Sequence, residues 1–451
     1  MDIRYKYRNF VGIALLLTLV TIKLFGQIPV IKTPQPATFP RYGIGGANSG
    51  RNNIGPNVPN FNRPDPRSYD SYEQDRLEVQ RRNAEIQRVI DESFEFYSFN
   101  HSAQYDFPSQ TDVPGTEYYR DAAEKLNNML NGTTSLNLKE AVYLVENAYF
   151  EGQIDYARYN KAIQDMANLA RQKAQEDNYN WNNPVAKNMM LFRVMSDTLT
   201  VKTPGREGFT TSYPMKYDFD DYWAKYDYSK MFVTKLLSTH GGQCHSMPLL
   251  YLILCDEIGA EANLAFAPAH TYIKFKDNEN NWHNLELTRG WLVTDAFVIG
   301  SGFITSEAIK NGVYMQPQTK EQTIAHCLSD LALGYIRKYG YDPFVKQCLE
   351  TALQYAPYNS SALRARSNYQ SFLFEYLGNQ AGRPPLESLK DTHPHLYKIR
   401  EERDSIYRLI DNIGLRDMPK ELYDKWLHSL DDEAEKYKNE HQYQQVIRLT
   451  K

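Results

Sequence analysis

Cys244 follows the pair Gly241–Gly242 and opens the apolar run "SMPLLYLILCDEIG". A cysteine in that place fits four chemistries: a small buried hydrophobe, half of a disulfide, a metal ligand or a nucleophile. A nucleophilic thiol needs thiolate character, a base within reach and a group that orients the base. The run after Cys244 reads as a helix, and a helix N-terminus favours an anion through its free N–H groups and macrodipole. The two glycines let the chain turn tightly and leave room beside the sulfur.

The candidate base is His270, which opens "HTYIKFK", and the candidate orienting acid is Glu286 in "WHNLELT". Strand alternation places His270 on the face of Tyr272, away from Ile273 and Phe275, and turns Glu286 away from Leu285 and Leu287. A hairpin loop of three or five residues sets His270 and Glu286 directly across from each other. A carboxylate there would fix the imidazole tautomer and support its positive charge. Asp295 is held in reserve as the acid. Backbone N–H groups at the helix start, with Gln243 as a side-chain contributor, are the candidate oxyanion donors.

The other chemistries of cysteine leave fewer signs. Cys244 and Cys255 on one helix would stand roughly 16 Å apart, too far to bridge. Cys255 falls on the inward face and reads as core. Cys327 and Cys348 lie on adjacent expected helices, and their pairing is left open. His240, His245 and His283 crowd the segment, so zinc with Cys244 is conceivable, but no Cys-x-x-Cys or His-x-x-x-His spacing supports it. No metal and no cofactor is expected.

The elements that must position these residues point to an α+β fold. Met247, Tyr251, Leu254 and Ile258 form the inward stripe of a helix that Gly259 terminates. "EANLAFAPAHTYIKFKDNENNWHNLELT" reads as three short strands with a polar turn around Asp277 to Asn280. This small core, residues 226–319, stands between helical regions at 73–225 and 320–451. In the first region Val79, Ile86, Ile90 and Phe94 share a face, Asn137 and Glu140 suggest a capping box, and Tyr159, Ile163, Met166 and Ala170 keep helical spacing. "SYPMKYDFDDYWAKYDYSK" reads as an extended or loop approach to the glycine pair. In the last region Leu333, Ile336, Val345, Leu349, Ala352 and Pro357 loosely match one tetratricopeptide-type repeat. Pro419, Leu422, Trp426 and Leu430 suggest a final amphipathic helix.

"GGQCHS", "PAHTYIKF" and "WHNLELT", in that order, resemble the transglutaminase-like superfamily, a branch of the papain-like thiol fold. The likeness covers about Met231 to Trp291. It implies Cys244 as nucleophile, His270 as base and Glu286 at the position where the family carries Asp. It further implies an enzyme acting on amide or peptide bonds, with a protein or peptide as substrate; because water is the default acceptor in a solvent-open site, a hydrolase is expected sooner than a cross-linker. The alternative is a catalytically silent member that serves as an interaction scaffold, binding a protein partner through its helical regions.

The bulk numbers limit the compartment and the partner. Of 451 residues, 42% are apolar and 24% charged, as in ordinary globular proteins. A net charge of −4 with no basic run argues against a nucleic-acid partner. The opening "MDIRYKYRNFVGIALLLTLVTIKLFGQ" has a basic start, a short apolar run and Gly26 at a plausible cleavage point, so residues 1–26 read as an export signal. An uncleaved membrane anchor is the alternative, although the run falls short of the roughly 20 residues that a span needs. Residues 27–72, rich in Pro, Gly and Asn, read as a flexible linker. The expected location is periplasmic or extracellular.

Overall fold

The segment after Cys244 is apolar on every side, and a helix of that composition has to be enclosed. The computed structural model of the protein describes residues 105–203, 207–288, 290–302 and 304–416. The expected export signal, the linker, the Val79–Phe94 face and the helix from Pro419 lie outside the described residues.

Four helices come first: α1 (Thr116–Leu130), α2 (Leu138–Tyr149), α3 (Tyr156–Glu176) and α4 (Pro184–Ser196). Each of the last three starts on a side-chain cap, from Asn137, Asp155 and Asn183. Asn137 accepts the Glu140 N–H at 3.1 Å, one half of the expected capping box, while the Glu140 carboxylate accepts from Asn137 Nδ2 at 3.4 Å and not from its backbone N–H. Ala141, Leu144, Val145 and Ala148 of α2, and Tyr159, Ile163 and Ala170 of α3, are buried.

Helical structure stops at Ser196, and three short strands follow within residues 73–225, which were expected to be helical apart from the aromatic stretch. β1 (Leu199–Lys202) and β2 (Phe209–Ser212) make an antiparallel hairpin, and β3 (Lys216–Tyr217) runs parallel to β4 (Gly241–Gly242). That last pairing puts two residues of the aromatic stretch in a strand, and from Asp218 to Asp227 the stretch is loop and turn. Between β3 and β4 lies α5 (Val233–Thr239).

Helix α6 (Ser246–Ile258) is buried on nearly every face, not only along the expected stripe. Helices α2, α3 and α4 and strands β5 and β6 all pack against it. It ends on Gly259 at φ 68°, a left-handed conformation that suits glycine. The sheet beyond it is antiparallel in the order β5 (Asn263–Ala267), β6 (His270–Lys276), β7 (Trp282–Glu286), β8 (Trp291–Val293). Strand β8 was not expected, because three residues carry too little alternation to detect. Among the described residues the architecture is a mixed helical and small-sheet α+β fold.

The chain then returns to helices: α7 (Asp295–Gly302), α8 (Ser306–Lys310), α9 (Lys320–Tyr339), α10 (Pro343–Tyr355), α11 (Ser360–Gln380), α12 (Leu389–Thr392) and α13 (Pro394–Asn412). Helix α9 is buried continuously from Thr323 to Ala332 and packs on α1, α2 and α10. The helices after the sheet therefore share one apolar core with those before it. Asp342 ties this junction: it caps α10 and accepts hydrogen bonds from the Tyr335 hydroxyl at 2.8 Å and the Gln110 N–H at 3.0 Å.

Cys327 and Cys348 do not pair. Both thiols are free and buried, each on the core side of its helix. Among the described residues no helix is long and apolar enough to cross a membrane.

Candidate active site

Cys244 precedes the His245 N-cap of α6 and is partly exposed. Its N–H and that of His245 come before the first hydrogen-bonded turn, where helix donors are left over. The sharp turn into this loop falls on His240, at φ 55°, and not on the glycines. Gly242 serves close approach instead: a Cβ there would lie 2.8 Å from Leu236 Cδ1 and 2.9 Å from Ser246 Oγ. The Thr271 hydroxyl, on β6, donates to the Cys244 carbonyl and holds the loop against the sheet.

His270 starts β6 and Glu286 ends β7, so each sits where its strand meets the loops. The β6–β7 register pairs Ile273 with Leu285 and Lys276 with Trp282 across a five-residue connection. By the same register Glu286 stands opposite Tyr272, and His270 lies two residues further on. The expected face is right but the direct opposition is not; the pair is diagonal. Diagonal neighbours are roughly 7–8 Å apart at Cα, within reach of long side chains only. The extra methylene of Glu over Asp is what spans that offset.

The contact is made: His270 Nε2–H donates to Glu286 Oε2 at 2.5 Å. The other carboxylate oxygen accepts the Thr288 N–H at 3.0 Å and its hydroxyl at 2.6 Å. The Cys244 side chain lies near enough to the imidazole to raise its pKa. Burial by itself would push the His270 pKa down. The Glu286 carboxylate, with the Cys244 side chain and the hydrogen bond to Glu286, outweighs it and raises the pKa to about 10. Burial pushes the Glu286 carboxyl up, and His270 with Thr288 more than reverses that and lowers it. The pair is thus held as imidazolium and carboxylate in a largely dry setting.

The remaining sequence candidates fall differently. Asp295 faces away from the imidazole: it accepts from Asn284 Nδ2 at 2.7 Å and pairs with Lys274 at 3.3 Å, so it is not the acid. Gln243 is fully buried; its backbone N–H is taken by Ser246 Oγ at 3.1 Å. Its Nε2 donates to the Asp221 carbonyl at 3.4 Å, and its Oε1 has no partner. His283 turns to Asp277 at 2.9 Å, away from Cys244.

Two features escaped the sequence reading. Thr288 as the support of Glu286 was foreshadowed only by its place two residues on. His245 turns away from the sulfur's partner and reaches α9, where Nε2 meets Asp330 Oδ2 at 2.9 Å. Nothing local announces a contact between residues 85 positions apart.

No family model, curated protein or solved structure matches the chain.

Proposed function

We propose that the protein is an exported thiol enzyme of the transglutaminase-like type that hydrolyses amide or peptide bonds in a protein or peptide substrate. The observation that carries this reading is His270 standing between Glu286 and the Cys244 sulfur. A nucleophile, a base and an orienting acid, drawn from one loop and two strands, meet at one buried imidazole.

With Nε2 committed to Glu286, Nδ1 is the nitrogen that exchanges a proton with the sulfur. The Cys244 thiolate attacks the carbonyl carbon, a C–S bond forms, and the carbonyl π electrons move onto oxygen. Donors at the start of α6 stabilise that oxyanion, with Gln243 Nε2, whose present bond is long, as the side-chain contributor. Collapse breaks the C–N bond, and the departing amine takes the imidazolium proton. His270 then removes a proton from water as it attacks the thioester, and the thiol and a carboxylic acid are regenerated. Partial exposure of Cys244 leaves the thioester open to water, which favours hydrolysis over transfer to a second protein. The helices after the sheet would present partners or substrate to this face.

The test is a pool of end-blocked peptides incubated with and without hydroxylamine, read by mass spectrometry. Hydrolysed products, diverted to hydroxamates by hydroxylamine, are expected from the wild type and not from Cys244→Ser. Turnover surviving in Cys244→Ser would sink the reading. Absence of any acyl transfer, with Cys244 alkylation indifferent to His270→Ala, would favour the silent scaffold.

A further inference from the structure

Behind the nucleophile loop lies a second set of histidine and carboxylate groups that thiol chemistry leaves unused. His245, His326 and Asp330 each offer a donor atom, and the three atoms lie within 4.8 Å of one another. His326 and Asp330 are one turn apart on α9, and His245 is the residue after Cys244. Their side chains are 17%, 4% and 10% exposed, so an ion held there would lose most of its water.

We propose that His245, His326 and Asp330 bind one zinc ion, which fastens the nucleophile loop to helix α9. Four observations support it. His245 Nδ1 donates to the Met231 carbonyl at 3.1 Å, which aims Nε2 at the cluster. A histidine whose second N–H is spoken for by a backbone carbonyl is the usual outer-shell arrangement of a metal ligand. His326 Nδ1 is buried without a partner, and its Nε2 stops 3.8 Å from Asp330 Oδ1, beyond hydrogen-bond reach. Asn359 also hydrogen-bonds the ring, so the unused capacity is that of Nδ1, in a site where an unpaired polar atom is costly.

The third observation is spacing. Zinc bonds of about 2.0–2.1 Å in a tetrahedron put ligand atoms roughly 3.3 Å apart. His245 Nε2 lies 2.9 Å from Asp330 Oδ2 and His326 Nε2 3.8 Å from the other oxygen, Oδ1. One donor atom from each residue falls within 4.8 Å of the others, so small side-chain shifts would bring the set to the zinc spacing. The fourth is room. A cavity of about 10 Å³, enough for about one water, is bordered by His245 and Asp330 on the side of Glu146 and not of His326. Three protein ligands and one water make a four-coordinate site, whereas a six-coordinate ion would need space for three. On binding, the ion takes the Nε2 lone pair of His245, and the proton now shared with Asp330 leaves to solvent.

The experiment uses tag-free protein stripped with a chelator, titrated with Zn²⁺ by calorimetry and with Co²⁺ by visible absorption. One ion per chain and a four-coordinate Co²⁺ spectrum are expected for the wild type and for Cys244→Ser. His326→Ala and Asp330→Asn should each bind at least about 10-fold more weakly, the scale on which even outer-shell losses act. Should His326→Ala fail to fold, Asp330→Asn, equal in shape, carries the test. No saturable site in the wild type overturns the proposal. So does binding lost in Cys244→Ser but kept in the α9 variants, which would move the ion to the thiol. Neither readout needs turnover, so a negative result leaves the thiol-enzyme reading standing.

Discussion

His270 and Glu286 meet diagonally across two neighbouring strands, Nε2 to Oε2 at 2.5 Å, with Glu286 registered opposite Tyr272 instead of His270. The acid's length is matched to that offset. Shortening it is therefore a sharper test than neutralising it.

Glu286→Asp keeps the charge and withdraws the carboxylate by about 1.5 Å, one C–C bond. A misplacement of about 1 Å can cost on the order of 100-fold in rate. Hydroxamate formation should fall by about that factor, as steeply as in Glu286→Gln. An aspartate variant with wild-type turnover would show that the diagonal contact does not matter.

Thr288→Val removes the hydroxyl that donates to Glu286 Oε1 at 2.6 Å and leaves the backbone N–H at 3.0 Å. A buried carboxylate oxygen loses one of its two donors. The expected cost is about 1–3 kcal/mol in urea unfolding, together with slower turnover. A stability unchanged from wild type would mean that solvent replaces the hydroxyl.

The His270 pKa is raised from 6.5 to about 10 by Glu286 and Cys244 acting against burial. A base whose folded pKa is raised adds stability that is complete below its unfolded pKa and lost as pH climbs through the folded one. The lowered Glu286 pKa is the other half of the same interaction and fails instead on acidification. The stability difference between wild type and His270→Gln should accordingly be largest near pH 6.5 and shrink toward pH 10, the bounds of that shift. Urea midpoints of both proteins across that range give the difference directly. A gap that widened with pH would have the wrong sign.

Gly242→Ala would place a Cβ 2.8 Å from Leu236 Cδ1, 2.9 Å from Ser246 Oγ and 3.1 Å from Met247 Cγ. Leu236 and Met247 are buried, and Ser246 Oγ already accepts the Gln243 N–H. Nothing there yields easily, so the strain should cost about 1–3 kcal/mol and shift the Cys244 loop. At Gly241 the nearest atoms to such a Cβ are Lys235 Nζ at 3.4 Å and Thr239 Oγ1 at 3.5 Å, ordinary van der Waals contacts, so Gly241→Ala should be tolerated. Equal effects at the two positions would refute the packing argument.

Local and periodic features were legible in the residues themselves. The caps at Asn137 and Gly259, the helical face of Tyr159, Ile163 and Ala170, and the shared strand face of His270 and Glu286 all follow from spacings of 3.6 and 2. Cys244 before an apolar helix belonged to the same class, because its neighbours set its surroundings.

What tertiary structure alone decided were the non-local matters. Alternation says which face a residue takes but not how far two strands slide, so the diagonal register and the fit of Glu286 to it came only with the paired strands. Burial of α6 on nearly every face depended on helices α2 to α4 packing against it together with strands β5 and β6. Asp295 turned to Lys274, and His245 found Asp330, because packing carried α7 and α9 to those places. Contacts between residues far apart in the chain are selected by the whole core, and no short stretch of sequence encodes them.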